Sequence, residues 1–277
     1  MSPAIYALVL FSAALHATWN LLIKRASDKL LMTIAVTMSA GIIGLLALPF
    51  FRAPAIESWV FIAASAVASA IYFLMVAATY KVADMSLAYP VMRGSAPLLI
   101  GLAGAPLFGE FLPLTAWLAI AIISAGIFSL AFVRHEHGTK GLTRALLTAG
   151  MIAVCTLIDA EGARRSGSAA AYTLWIFALT GLGLGAWAAV ARREEFPAFV
   201  KRNWPFSALA GAGALCSYGT ALWAMTAAPV AMVAALRETT VLFGAALAWL
   251  VLKEHVGGSR LAAILIIAAG AALLRIA

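Results

Sequence analysis

Ten runs of about twenty apolar residues dominate the chain, near 3–23, 30–51, 58–80, 84–107, 112–133, 141–159, 169–191, 205–226, 229–252 and 258–276. Each is long enough to cross a hydrocarbon layer about 30 Å thick. Inside lipid a backbone must satisfy its own N–H and C=O groups, so such runs have to be helices. The fold class is therefore all-α integral membrane, with ten transmembrane helices. Composition agrees, since 64% of the 277 residues are hydrophobic and 11% charged, against roughly 25% charged in a soluble domain. The gaps are too short for a soluble domain. Turns are marked by charge and proline, as in Arg52-Ala53-Pro54 and Arg192-Arg193-Glu194-Glu195-Phe196-Pro197. Lys24 and Arg25 follow the first apolar run instead of preceding it, which points to a spanning helix and not a cleaved leader.

A net charge of +8 does not indicate nucleic acid here, because the basic residues crowd the gaps as juxtamembrane anchors. The odd-numbered gaps hold 13 of them and the even gaps and C-terminus four. The positive-inside rule puts the odd gaps in the cytoplasm and both termini outside. Cys155 and Cys216 lack metal-ligand spacing and are expected to be inert packing residues. His135 and His137 form an isolated i, i+2 pair in a gap, short of a metal-ligand set, and His255 has no evident role. Gly181-Leu-Gly183-Leu-Gly185 follows no strand and cannot be a nucleotide loop. Like Gly41 with Gly44, and Gly101 with Ala105, it suits close helix packing. No cofactor is implied.

The sequence also repeats itself. An offset of 144 aligns Arg93 with Arg237, Ser95 with Thr239, Leu98 with Leu242, Glu110 with Glu254 and Ala125-Gly126 with Ala269-Gly270. Earlier in each half the offset is 139, which pairs Asn20 with Asp159 and Arg25 with Arg164. The halves are 1–138 and 139–277, one transmembrane domain of two five-helix repeats. An odd number of helices per half forces opposite orientations, so the repeats are inverted. Inverted repeats of this kind place a central cavity and a substrate site at their interface near the midplane.

The stretch Ser95-Ala-Pro97-Leu-Leu-Ile-Gly101 through Leu107-Phe-Gly109-Glu110-Phe-Leu, followed by Trp117 to Gly126, resembles the repeat signature of EamA-type transporters in the drug/metabolite transporter superfamily. Thr240 through Trp249 to Lys253-Glu254, followed by Leu261 to Leu274, is similar to the same signature. The resemblance implies ten helices around a central cavity, a bacterial inner (plasma) membrane with periplasmic termini, and small-metabolite efflux, the amino-acid exporters being one branch. Two positions depart from the pattern. Val241 stands where a proline would mirror Pro97, and Lys253 where a glycine would mirror Gly109, so a helix break is expected in the first half more than in the second.

Ionisable groups at membrane depth cost about 2.5–3.5 kcal/mol each on insertion scales and need a partner or a wet cavity. Arg93, Arg237, Glu238, His16 and Asp159 are the candidates. Tyr89, Arg93 and Pro97 share a helix face, and Pro90 and Pro97 each free a backbone carbonyl, making both prolines candidate hinges. Either arginine can receive a carboxylate from substrate or serve as a structural cation. Glu238 adjoins Arg237 but cannot face it along one helix, so it needs a partner elsewhere. His16, Trp19 and Asn20, with Ser12 a turn earlier, form a stripe suited to ligand contact or to interhelical hydrogen bonding. Tyr72, Trp175, Tyr218 and Trp223 are candidate aromatic walls, whereas Trp59, Trp117, Trp204 and Trp249 suit the interfacial belt. Glu110 and Glu254 precede the fifth and tenth helices, where a carboxylate caps free amides.

The reading this supports is a secondary transporter of amino acids or similar zwitterionic metabolites, working by alternating access. A proton coupled through His16, Glu238 or Asp159, and unaided facilitation, both fit. An integral-membrane enzyme of lipid or prenyl intermediates would need a convergent acid, base or metal cluster, which the sequence lacks. A flippase-type subunit is the remaining alternative.

Overall fold

The computed structural model describes residues 1–131, 139–253 and 257–277. His135, Glu136, His137, Glu254 and His255 lie outside the described residues. The described chain is helical, with α1 Pro3–Lys24, α2 Lys29–Ala47, α3 Trp59–Tyr80, α4 Met85–Phe108, α5 Leu114–Ser129, α6 Thr139–Arg165, α7 Ala169–Ala191, α8 Phe196–Ala227, α9 Val230–Arg237, α10 Thr240–Leu252 and α11 Gly258–Ile276. Together α9 and α10 make the ninth span. Among the described residues nine segments have the length and apolarity to cross a membrane, and the shorter apolar α5 is the tenth.

Local chemistry starts and stops these helices. Ser2, Asp28 and Ser168 accept the amides of Ile5, Leu31 and Ala171 at 3.3, 2.9 and 3.3 Å, the side-chain capping that orphan N-terminal amides require. Gly109 ends α4 with φ 66°. Lys253, at the matching place in the second half, ends α10 with φ 55°, so the turn forms there without the glycine. A left-handed lysine costs about 1–2 kcal/mol.

Two boundaries differ from the sequence expectation. The sixth span continues to Arg165 and the eighth begins at Phe196, running through Pro205, because charged residues at helix ends extend into the headgroup region while the helix continues. The expected asymmetry of helix breaking is reversed. α4 runs unbroken through Pro90, Pro97 and Pro106, whereas the ninth span breaks at Glu238-Thr239 without any proline. There the ladder tightens to Glu238 N–H to Ala235 O, 3.0 Å, and Thr239 N–H to Leu236 O, 3.1 Å. The Thr239 and Thr240 hydroxyls donate to the carbonyls of Leu236 and Arg237 at 2.7 Å each. Such hydroxyl-to-carbonyl bonds compete with the helical ladder and accompany the break.

α2 packs on α7, α5 on α11, α1 on α8 and α3 on α6. Exchanging each of the first five spans for the span five later maps this pattern onto itself. The glycines are reciprocal at the self-paired crossings. A Cβ on Gly126 would lie 2.8 Å from Ile267 Cγ1, and one on Gly270 2.7 Å from Ile123 Cγ1, each contact being the other shifted by 144 residues. At the α2/α7 crossing a Cβ on Gly41 would meet Phe177 O at 2.7 Å and Gly181 Cα at 3.3 Å. Close backbone approach of this kind is how helices associate where lipid removes the hydrophobic drive.

One large apolar core occupies the half of the bundle nearest the termini, with Val9, Ile62, Ile120, Ile123, Leu222, Met225, Leu236 and Ile267 among its members, and a small separate cluster of Ala40, Leu174 and Leu215 lies beside it. At the opposite end the core divides into separate small clusters around Leu87 and Met92, around Leu31 and Phe196, and around Met32 and Val36. Phe11, Leu46, Leu102, Val190 and Trp249 point outward and form the belt that lipid covers.

Candidate functional site

The break between α9 and α10 brings charged side chains together at membrane depth. Glu238 sits at the end of α9, 4% exposed, and Arg93 reaches it from the middle of α4. Arg93 Nε donates to Glu238 Oε2 at 3.0 Å, and Nη2 lies 2.9 Å from Oε1. This two-point pairing of a guanidinium fork with a carboxylate is the strongest geometry available to an ion pair. It spans the two halves of the chain. Pro97 removes the amide that would bond the Arg93 carbonyl, which places a free backbone acceptor on the same turn.

Arg237 lies beside this pair and does not join it. Its guanidinium carbon stands 5.5 Å from the centre of the Tyr218 ring, and its Nε is buried with no hydrogen-bond acceptor. Tyr218 hydroxyl donates to Asp159 Oδ2 at 2.5 Å, and Tyr172 hydroxyl to Asp159 Oδ1 at 3.3 Å. Asp159 is 2% exposed, so both of its oxygens are satisfied by phenols instead of water. Phe177 packs edge-on to Tyr218 at 5.8 Å. Tyr72 and Tyr89 are electrostatic neighbours of Arg93, and His16 of both arginines.

The α1 stripe divides in the structure. His16 and Trp19 stack edge to face at 4.9 Å, and Trp19 Nε1 is buried without a partner. Asn20 is exposed and donates to the His16 carbonyl on its own helix at 2.8 Å. Ser12 faces α8 instead, exchanging hydrogen bonds with Ser217 at 2.7 and 2.8 Å, and acts as interhelical glue. Trp175 lies against Trp59 at 5.0 Å, which draws Trp59 from the belt into an α3/α7 contact. Trp223 is not a wall of this centre. It is 46% exposed and lines a lateral apolar cleft of about 540 Å³ with Leu8, Phe51, Leu215 and Cys216. Cys216 is accordingly exposed, not packed inside. No group of metal-ligating side chains occurs among the described residues.

Glu110 caps a helix, though not the one it precedes. Its Oε2 accepts the Val230 amide at 2.9 Å, which caps α9, while its Oε1 forms an ion pair with Arg164. Arg164 Nε donates to Met225 O at 3.0 Å and its Nη2 reaches Ala228 O at 3.5 Å, and the guanidinium covers Phe108 at 5.0 Å. One ion pair thereby closes the termini end across the halves, fastening the α4–α5 turn to α6, α8 and α9. Sequence reasoning missed this lock, although the offset of 139 had singled out Arg164 beside Arg25.

Comparison with known proteins follows the same lines. The model of the EamA-like transporter family matches residues 139–276. No curated protein matches the chain. A solved structure described only as "Crystal structure of protein" superposes with TM-score 0.79 at 18% identity, covering 100% of this chain and 98% of its own, a likeness of fold. The chain belongs to the EamA-like transporter family, a ten-helix membrane fold of the drug/metabolite transporter superfamily.

Proposed function

We propose that this membrane transporter is a secondary carrier that exports amino acids or similar small carboxylate-bearing metabolites across a bacterial inner membrane, with both termini periplasmic. The observation that carries this reading is the charged centre at the joint of the halves. Arg93 and Glu238 hold the halves together at membrane depth, and Arg237 stands beside them with donor capacity unspent. Buried ionisable groups are retained in membranes where they recognise or conduct something. Residues 1–138 and 139–277 act as inverted repeats that rock about this centre. The reciprocal glycine contacts and the helix pairing support that symmetry. Alternating access needs one end sealed while the other is open, and the Glu110–Arg164 lock with its large core supplies the seal. Tyr218, Phe177, His16 and Trp19 offer ring surface for an apolar substituent. Glu238 and Asp159, with His16, are the groups through which a proton would couple.

The test is flux into liposomes carrying the purified chain, read on the same variants as thermal unfolding. Arg237→Gln is expected to abolish carboxylate flux with an unchanged unfolding temperature. Arg237→Lys restores part of it, because the charge remains while the planar fork is lost. Normal flux in a stable Arg237→Gln protein would remove this centre as the substrate site.

A further inference from the structure

We propose that the site reads only the anionic group of its solute, so that it takes small carboxylates whether or not they carry an amino group. The inference rests on the carrier reading above and narrows its substrate class. It comes from counting which polar groups already have partners. Both oxygens of Glu238 are held by the Arg93 fork, at 3.0 and 2.9 Å. Both oxygens of Asp159 are held by the Tyr218 and Tyr172 hydroxyls. An ammonium group entering the centre would have to share carboxylate oxygens with a two-point guanidinium or two phenols, and the acceptor left free there, the Arg93 carbonyl, is uncharged. Arg237 is the opposite case, a half-buried cation whose buried Nε meets no acceptor and whose described neighbours offer it a ring face.

The repeat explains why Arg237 is left over. Shifting by 144 residues carries Arg93 onto Arg237 and Gly94 onto Glu238. The carboxylate that pairs with Arg93 comes from position 238, so the carboxylate that would pair with Arg237 belongs at position 94. That position is a glycine. A Cβ there would come within 2.8 Å of Phe128 Cε1, so the ring of Phe128 occupies the space where the second counterion would start. Two arginines therefore share one glutamate, and the bilayer interior makes the surplus cation costly unless an anion completes it. A solute carboxylate would stand in for the missing carboxylate at position 94.

The experiment uses the purified full-length chain and three matched probes, phenylalanine, 3-phenylpropionate and phenethylamine, at one pH, followed by calorimetric titration and thermal unfolding. The two acids are expected to bind within about threefold of each other, and the amine not at all. Arg237→Gln is expected to weaken both acids by about tenfold or more, the loss of a charge-assisted hydrogen bond, while its ligand-free unfolding temperature stays level or rises. A structural arginine would lower that temperature. Phenylalanine binding more than tenfold tighter than 3-phenylpropionate, binding of the amine, or acid affinity unaltered in Arg237→Gln would each overturn the inference. Failure of both acids would overturn it too. The carrier reading is judged separately, by uptake into liposomes carrying the chain: uptake of phenylalanine without 3-phenylpropionate keeps that reading and overturns this inference, whereas uptake of neither acid removes the carboxylate carrier as well.

Discussion

The two ends of the bundle are built from equally apolar helices yet hold together differently. At the termini end one large apolar core dominates, with a single small cluster beside it, and Glu110 and Arg164 tie both halves to the capped start of α9. At the opposite end the core breaks into separate clusters, and the charged ties between halves are exposed while a buried one is uncharged. Arg192 reaches Asp28 at 3.3 Å with about a third of each side chain exposed, Arg144 Nη1 donates to Ala78 O at 3.1 Å, and Thr79 and Thr148 share a hydrogen bond of 2.9 Å. Exposed ion pairs are screened and contribute little, whereas desolvated ones bind strongly when intact and penalise the loss of one partner. The two ends thus differ in how they are held, one by a large core and a desolvated ion pair and the other by small clusters and an exposed one, with the charged centre between.

The largest effect is expected at the centre that both ends share. Arg93→Ala leaves Glu238 buried without its cation and should destabilise the fold by about 3–5 kcal/mol, measured by thermal unfolding in detergent. Arg93→Ala with Glu238→Ala should recover most of that loss, as a cycle between coupled residues requires. If the double variant is no more stable than the single, the pair is not what joins the halves.

Next is the seal. Glu110→Ala should cost about 3 kcal/mol, the low end for a buried pair since Arg164 is a quarter exposed. It should also open the termini end. In a background with Cys155 and Cys216 replaced, Ala163→Cys, 2% exposed beside Arg164, should resist a membrane-impermeant thiol reagent until Glu110→Ala is added. Labelling at Ala163→Cys with the lock intact would show that this end is not sealed.

A smaller effect tests the crossing about which the halves would turn. Gly41→Val places side-chain atoms against the Phe177 carbonyl and Gly181 and should cost about 1–3 kcal/mol through overpacking. The same change at Gly183, where nothing lies within 4 Å, should leave unfolding unaltered. Equal losses at both would mean that helix propensity and not close packing governs these glycines.

The smallest effect is expected at the loose end, where Asp28→Asn keeps the α2 cap and removes the charge facing Arg192. Its unfolding temperature should match the parent protein. A drop comparable to that of Glu110→Ala would erase the contrast between the ends.

Hydrophobic runs and basic gaps made the ten spans legible, because lipid leaves a chain no alternative to satisfied helices of fixed length. The offset of 144 pointed to both arginines, Gly126 with Gly270, and the two glutamates, since a repeat preserves what its packing needs. Other features were not legible. The proline rule placed the break in α4, but it lies after Glu238 in the ninth span, where two threonine hydroxyls bond helical carbonyls in a way that depends on local rotamers. Glu110 looked like the cap of its own following helix and caps α9 instead, a partner 120 residues away. By itself, the sequence determined that this chain lives in a bilayer, how many times it crosses, and which charges are carried there, because insertion free energy is a property of each segment alone. Only the tertiary structure decided that the partner of Glu238 is Arg93, that Asp159 is held by two tyrosines, and which end carries the buried ion pair. Those outcomes depend on which side chains meet across helices far apart in sequence, and the symmetry of the repeat allows either end until packing selects one.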